Sequence, residues 1–356
     1  MTPETDLKTT TSHFCSAARN ERGFSLIELL VGVVLGMIAV IVVMQVFSLS
    51  ERGQRTATSG DEAQTNGAIA IAQLQRDIRQ SGHGAANLVL AGCNLTLPTG
   101  RVLNTLGPVT INHADIPAGD PRSDTLLVVY SSGNGAPEGD RITAEPDAVT
   151  YSVATASAFT NNDRVIAANQ VRPAACNLLL DQVSALPVGA NVVVAAGAVG
   201  IQDTLYNWGA SPKVLAYAVR NGRLTQCDLM VSNCSTVTAQ AWVEIIDNVV
   251  NLRAQYGRDT TAAPMDGTVD LFDQTTPSTP CQWARMSALR LAITTVSGQK
   301  EKTAVTVAAN APTWAGSADA PIDLSADAEW QYYRYRVFEA VAPLRNMAWQ
   351  GAQATC

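Results

Sequence analysis

The chain has 356 residues, 47% of them hydrophobic and only 15% charged, which excludes a disordered polypeptide and leaves ample material for a packed core. Its formal charge of −7 argues against a general nucleic-acid surface, since such a surface needs clustered Lys and Arg.

The first informative segment is Gly23-Phe24-Ser25-Leu26-Ile27-Glu28, followed by a run from Leu29 to Ser50 without a single charged residue. As a helix rising about 1.5 Å per residue, that run is roughly 33 Å long, close to the thickness of a bilayer's hydrocarbon core. A transmembrane segment is therefore expected over about residues 24–50. A carboxylate at the mouth of such a segment is costly and needs a partner or a purpose, which singles out Glu28. A cleavable secretory signal has a shorter apolar region, about 7 to 15 residues, ending in small residues. Charge does not orient the segment, because Arg19 and Arg22 on one side are matched by Arg52 and Arg55 on the other. Gly32 and Gly36 form a GxxxG spacing that could seat another helix closely.

Gly followed by Phe-Ser-Leu-Ile-Glu and a long apolar run resembles the class III signal of type IV prepilins. The resemblance implies that prepilin peptidase cuts after Gly23 and methylates the new amino terminus on Phe24, with residues 1–23 as a cytoplasmic leader. It also implies that Glu28 neutralises the terminal ammonium of a neighbouring subunit during docking, so that both charges leave lipid together. Glycine fits the cleavage position physically, having no Cβ to keep the backbone from a protease site. The leader carries Lys8, Arg19 and Arg22 against Glu4, Asp6 and Glu21, so its removal leaves the charge unchanged.

Beyond the span the helix is expected to continue to about residue 82. Residues 51–80 contain no proline and carry Ile71, Leu74 and Ile78 at helical spacing; Gly53, Gly60 and Gly67 weaken it locally, and Ser81-Gly82-His83-Gly84 stops it. Residues 83–356 then read as a β-rich head. Strand signals fall at 125–130, 148–154, 191–196 and 289–296, each bordered by Gly, Pro, Asn or Asp. Asn221-Gly222 supplies the positive-φ pair of a type I′ turn in a hairpin over 213–227. One further helix is expected at 239–250, with Trp242, Ile245, Ile246 and Val249 on one face. The fold class is α+β: a long pilin-like N-terminal helix packed on a mainly antiparallel head of one or two lobes.

Export makes the cysteines candidates for pairing. Without Cys15 of the leader there remain Cys93, Cys176, Cys227, Cys234, Cys281 and Cys356, which sequence alone allows to pair in 15 ways. Cys227 and Cys234 are close enough to staple a short loop; Cys93 with Cys176 and Cys281 with Cys356 complete one of the open pairings. No Cys-x-x-Cys pair with histidines points to zinc, and no metal or cofactor is expected. Asp259, Asp266, Asp270 and Asp273 could gather around Ca²⁺, but their spacing is not that of an EF-hand, and solvated turns are the simpler reading. His83 and His113 belong to no ligand or catalytic motif, and no G-x-S-x-G, Walker A or Rossmann fingerprint occurs, so no catalytic residue and no enzyme is expected.

The C-terminal half resembles PilW-type minor pilins. Residues 246–257, Asp259 and residues 266–270 resemble that family's helix, strand and acidic-loop block, and residues 288–293, 333–338 and 344–346 its last two strands. The leader is longer than in typical major pilins, and the acidic block lacks dense Asp-Gly repeats. The resemblance implies an assembly component of the type IV pilus, anchored in the inner membrane with its head in the periplasm. It would prime the filament with other minor pilins and the major pilin and end at its tip. A minor pseudopilin of a type II secretion system, or a tip adhesin or DNA-binding subunit, shares the N-terminal logic; no nucleic acid is expected as partner.

Overall fold

The computed structural model describes residues 25–348 apart from Asn134, together with residues 351, 353 and 356. Two compact units divide the chain, Met1–Arg55 and Thr56–Cys356. One helix, Leu26–Gln80, contributes to both. It runs unbroken through Gly53, Gly60 and Gly67, because each glycine has helical neighbours on both sides that keep the hydrogen-bond ladder continuous.

Within the second unit the helix buries Ala63, Ala70, Leu74 and Ile78, spaced by seven, four and four residues and so aligned on one face. Ile71, at the margin of that face, is partly buried. Gly67 lies on the same seam against Phe338, where an added Cβ would stand 2.1 Å from the ring, so only glycine permits this approach. The helix stops where the sequence signals it. Ser81 Oγ donates to Ile78 O at 2.6 Å, and Asn346 Nδ2 donates to the carbonyls of Gln80 and Ser81 at 3.0 and 2.9 Å. Gly82 and Gly84 follow in the left-handed region at φ +79° and +69°.

A five-stranded antiparallel sheet forms the centre of the head, in the order Val243–Asp247, Arg223–Asp228, Lys213–Arg220, Thr125–Tyr130, Val109–Ile111. Both of its faces are apolar. Leu126, Val128, Leu215, Tyr217 and Val219 join the helix stripe in one core, while Leu127, Val129, Val214, Ala216 and Ala218 point into a second core with Leu90, Leu95 and Trp208. This explains why Thr125–Tyr130 reads as a continuous apolar run rather than an alternating one: neither face meets water.

The chain then builds a four-stranded antiparallel sheet in the order Leu271–Asp273, Val249–Arg258, Met286–Val296, Tyr335–Pro343. Its Leu252, Ala254, Tyr256, Leu289, Leu291 and Ile293 share the core of the helix stripe. Buried polar groups fasten the two sheets together. Ile111 N–H donates to Tyr256 Oη at 2.6 Å, and the Asp124 carboxylate, 3% exposed, accepts from Arg253 Nη1 and Ala254 N–H, each at 3.1 Å. A buried acid so thoroughly paired costs little, whereas removing one partner would leave an uncompensated charge.

A second lobe of six antiparallel strands is inserted between Thr125–Tyr130 and Lys213–Arg220, in the order Asn191–Val193, Thr150–Val153, Asp140–Asp147, Thr204–Gly209, Arg164–Ala168, Asp181–Gln182. It has its own core around Tyr151, Phe159, Val165, Val192 and Leu205. A small sheet of Val102–Leu103, Asn94–Thr96 and Asn177–Leu179 lies beside it, with the last two strands parallel. The architecture is α+β, one long helix and a mainly antiparallel head.

The structure differs from the sequence reading at 239–250, where strands replace the expected helix. Val243–Asp247 pairs with Arg223–Asp228, and Asn248 turns the chain at φ +60° into Val249–Arg258. Trp242, Ile246 and Val249 are buried as expected, but for a different reason. A bulge between Leu224 and Thr225 shifts the register within the edge pairing, and this irregular strand imitates a helical period.

Truncating the helix stripe tests this packing. Leu74→Ala should lower unfolding stability by about 2–5 kcal/mol, whereas Ile69→Ala, at a position 51% exposed, should change it by less than about 0.5 kcal/mol, both read by urea denaturation.

Candidate functional site: the apolar helix and its leading acid

Gly23 and Phe24, the expected cleavage and methylation residues, lie outside the described residues, as does Cys15. The helix starts just after them, with Leu29 N–H donating to Ser25 O at 3.1 Å. Glu28 falls in its first turn, where the partial positive charge of the helix N-terminus favours an anion. Glu28 is exposed and makes no ion pair among the described residues. A carboxylate held at this end is free to meet a charge from outside the chain.

Between Leu26 and Leu49 every large apolar side chain is exposed, from Val33 at 46% to Leu26 at 78%. Leaving such side chains in water forgoes roughly 1.5–3 kcal/mol each, so the segment requires a bilayer, partner helices, or each in turn. Its apolar surface runs all the way round, unlike the one-sided stripe at residues 63–78. A Cβ at Gly32 or Gly36 would meet nothing within 4 Å among the described residues, which leaves room for a second helix at close range.

Three disulfides brace the head. Cys227–Cys234 closes the loop after the central hairpin, with S–S 1.95 Å. Cys93–Cys176 lies immediately before the parallel strands whose register begins at Asn94 and Asn177. Cys281–Cys356 ties the short helix Pro280–Ala284 to the C-terminal residue.

The acidic block is a set of internal caps. Asp259, 1% exposed, accepts from Gly267 N–H at 2.6 Å and Thr261 N–H at 2.8 Å and lies 3.6 Å from Arg285. Burial raises its pKa, but the donated N–H bonds outweigh that and hold the carboxyl below its ordinary range. Asp270 accepts from Thr260 N–H at 2.8 Å, Asp273 pairs with Arg258 at 2.9 Å, and Asp266 accepts from Thr268 N–H at 2.8 Å. Each acid serves its own turn and the four do not converge on a common centre; among the described residues no group of three or more His, Cys, Asp or Glu could hold a metal ion.

His83, expected as a cap or loop residue, shares a 2.6 Å hydrogen bond between Nδ1 and Ser131 Oγ at the helix end. His113 is buried, accepting at Nδ1 from Asp115 N–H at 3.1 Å while Nε2 donates to Asn104 O. Both imidazoles are used in holding loops.

Sequence reasoning passed over Asp77, an acid on the buried side of the helix that is only 3% exposed. It accepts from Tyr217 Oη, which in turn accepts from Gln226 Nε2 at 2.9 Å. Burial and the Asp77 charge push the Tyr130 phenol up to about 12 and raise Tyr217 further. The available signal was position: Asp77 falls three residues after Leu74, on the apolar stripe itself.

Residues 18–44 match the model of the prokaryotic N-terminal methylation motif, and residues 216–346 match the model of Type IV Pilus-assembly protein W. Residues 216–346 are thus similar to the PilW family and residues 18–44 to prepilin N-termini. The PilW match takes in the hairpin of the central sheet and the four-stranded sheet, and leaves out the inserted six-stranded lobe. Leu26–Gln80 is long and apolar enough to cross a membrane, and it follows the start of the matched methylation motif. No curated protein matches the chain. Among solved structures, the GspK-GspI-GspJ complex from the enterotoxigenic Escherichia coli Type 2 Secretion System covers 78% of this chain and 96% of the matched chain, at 10% identity. The TM-score of 0.28 is too low for that likeness to bear on fold or function.

The loop lengths rank the disulfides. In the chain-entropy model, replacing Cys93 and Cys176 by serine should cost about 4.5 kcal/mol for a separation of 83 residues, and replacing Cys227 and Cys234 about 2.5 kcal/mol for a separation of 7. Paired urea titrations of the two double variants read the order directly.

Proposed function

We propose that this PilW-domain chain is a minor pilin of the type IV pilus, held in the inner membrane by residues 24–50 until it enters the filament. Prepilin peptidase would cut between Gly23 and Phe24 and methylate Phe24. The reading is carried by one observation: a helix that exposes apolar side chains on every side, opened by a lone acid, Glu28, with no ion pair among the described residues.

The acid sets the mechanism. In lipid, Glu28 is costly alone and tolerable beside the ammonium of an adjoining subunit, so docking is favoured over dispersal. Because each subunit offers an amine and an acid at different heights, the contact is head to tail and extends into a filament rather than closing on itself. The open faces at Gly32 and Gly36 support close helix approach in the same step. The head would act as an assembly surface with other minor pilins and the major pilin, priming the filament from an inner-membrane complex and ending at the tip with the periplasmic side outward. The PilW match supports the pilus over a type II secretion pseudopilus.

Two substitutions separate processing from docking. Gly23→Trp should leave an uncut precursor in the membrane fraction, visible as a mass larger by the leader. Glu28→Ala should be cut normally yet lose co-purification with other pilins by tenfold or more, the order expected if pairing is worth about 1.4 kcal/mol or more. Undiminished co-purification would remove Glu28 from docking.

A further inference from the structure

Residues 297–310 and 329–336 run side by side in the head. Glu301 N–H donates to Tyr332 O at 2.8 Å, Thr306 N–H to Gln331 O at 3.0 Å, and Ser297 N–H to Arg334 O at 2.9 Å. This pairing gathers Trp330, Tyr332, Tyr333 and Tyr335 into one partly exposed aromatic rim. Lys300 stands 5.4 Å over the Tyr332 ring, and Arg334 and Arg336 are exposed on either side of Tyr335 in the chain. Glu329 pairs with Lys300 and Glu301 with Arg334, while Lys302 and Arg336 have no acidic partner among the described residues. An open cleft of about 520 Å³ adjoins the rim, with Arg334, Tyr335 and Arg336 on one wall and Ala57, Gly60 and Asp61 on the other.

That second wall fixes where the rim can be. Ala57 is seven residues beyond Ser50, the end of the uncharged run. At most about 3.6 Å per residue, the intervening chain spans no more than about 25 Å by any path. A rim tethered so closely to a membrane span meets headgroups at high effective concentration.

We propose that this aromatic and basic rim is a contact surface for phospholipid headgroups, engaged while the subunit is still in the bilayer. The proposal rests on the reading of residues 24–50 as a membrane span. Tyr and Trp present an apolar ring and a polar edge, which suits them to the boundary between acyl chains and water. Basic side chains beside them each gain about 1 kcal/mol against an anionic leaflet. A single nucleic-acid strand could also stack on such rings, but with Lys300 and Arg334 paired to acids only Lys302 and Arg336 are left, which is no continuous basic track for a phosphate backbone, whereas separate headgroups need none. Headgroup contact would hold the head at the membrane until filament entry withdraws the rim with the helix.

The full mature chain in vesicles of phosphatidylethanolamine and phosphatidylglycerol, carrying a photoactivatable diazirine phosphatidylglycerol, provides the test. Peptide mapping after illumination should find lipid adducts within residues 297–310 and 329–336 as well as 24–50, and none on Asp140–Asp147 of the inserted lobe. Arg336→Gln, an exposed substitution, should reduce the adducts at 329–336 about fivefold, the equivalent of one basic contact. Adducts at 24–50 with none on the two head segments would overturn the rim. Adducts missing from 24–50 as well would overturn the spanning reading and the rim with it.

Discussion

Water rejects the first half of this helix. From Leu26 to Leu49 the chain offers apolar side chains on all sides, with no stripe for a head to cover and Glu28 as its one charge. A surface of that kind is stable in a bilayer or among similar helices, and a pilin uses both environments in succession. In the proposed docking, Glu28 would make that succession directional. An acid at the start of an uncharged helix is tolerated at the membrane edge and stabilised beside an amine, so the same group that makes residence in lipid imperfect makes docking favourable.

The second half of the helix obeys the opposite rule. Its apolar residues narrow to Ala63, Ala70, Leu74 and Ile78, and the head closes over them with two sheets. Phe338 lies against Gly67 there, and Asp77 receives the Tyr217 hydroxyl, so the seam is specified by close approach and by a buried polar contact as well as by apolar area. Asp124 and Tyr256 join the central and C-terminal sheets by buried hydrogen bonds. The disulfides reinforce the periphery. Cys93–Cys176 sets the short parallel pair, and Cys281–Cys356 secures the C-terminal residue.

Much of this was legible in the residues themselves. The long apolar helix, the stop at Ser81 to Gly84 and the hairpin around Asn221-Gly222 all follow from local chemistry, and the structure places Asn221 and Gly222 at φ +52° and +70°. What escaped was set by distant partners. Residues 239–250 carry a helical spacing of apolar side chains, yet pairing with Arg223–Asp228 draws them into a strand, because the edge of the central sheet offers hydrogen bonds that an isolated short helix cannot match. The six-stranded lobe was only partly visible, since strands such as Asp140–Asp147 bury a single side chain, Ile142, and look polar throughout. The acidic turns looked like a possible cation site until each carboxylate was seen to cap its own loop. At the N-terminus the motif spoke for chemistry through Gly23 and Phe24, which lie outside the described residues.

Because the proposed docking would begin with a new amine at Phe24, the state of the amino terminus is the most direct test. Filaments sheared from the cell surface should contain this chain, and its N-terminal sequence should begin with N-methylated Phe24 followed by Ser-Leu-Ile-Glu. A polypeptide that retains Met1 and never accompanies pili or related fibres would contradict the pairing of Glu28 with a neighbour's amine, and with it the assembly role.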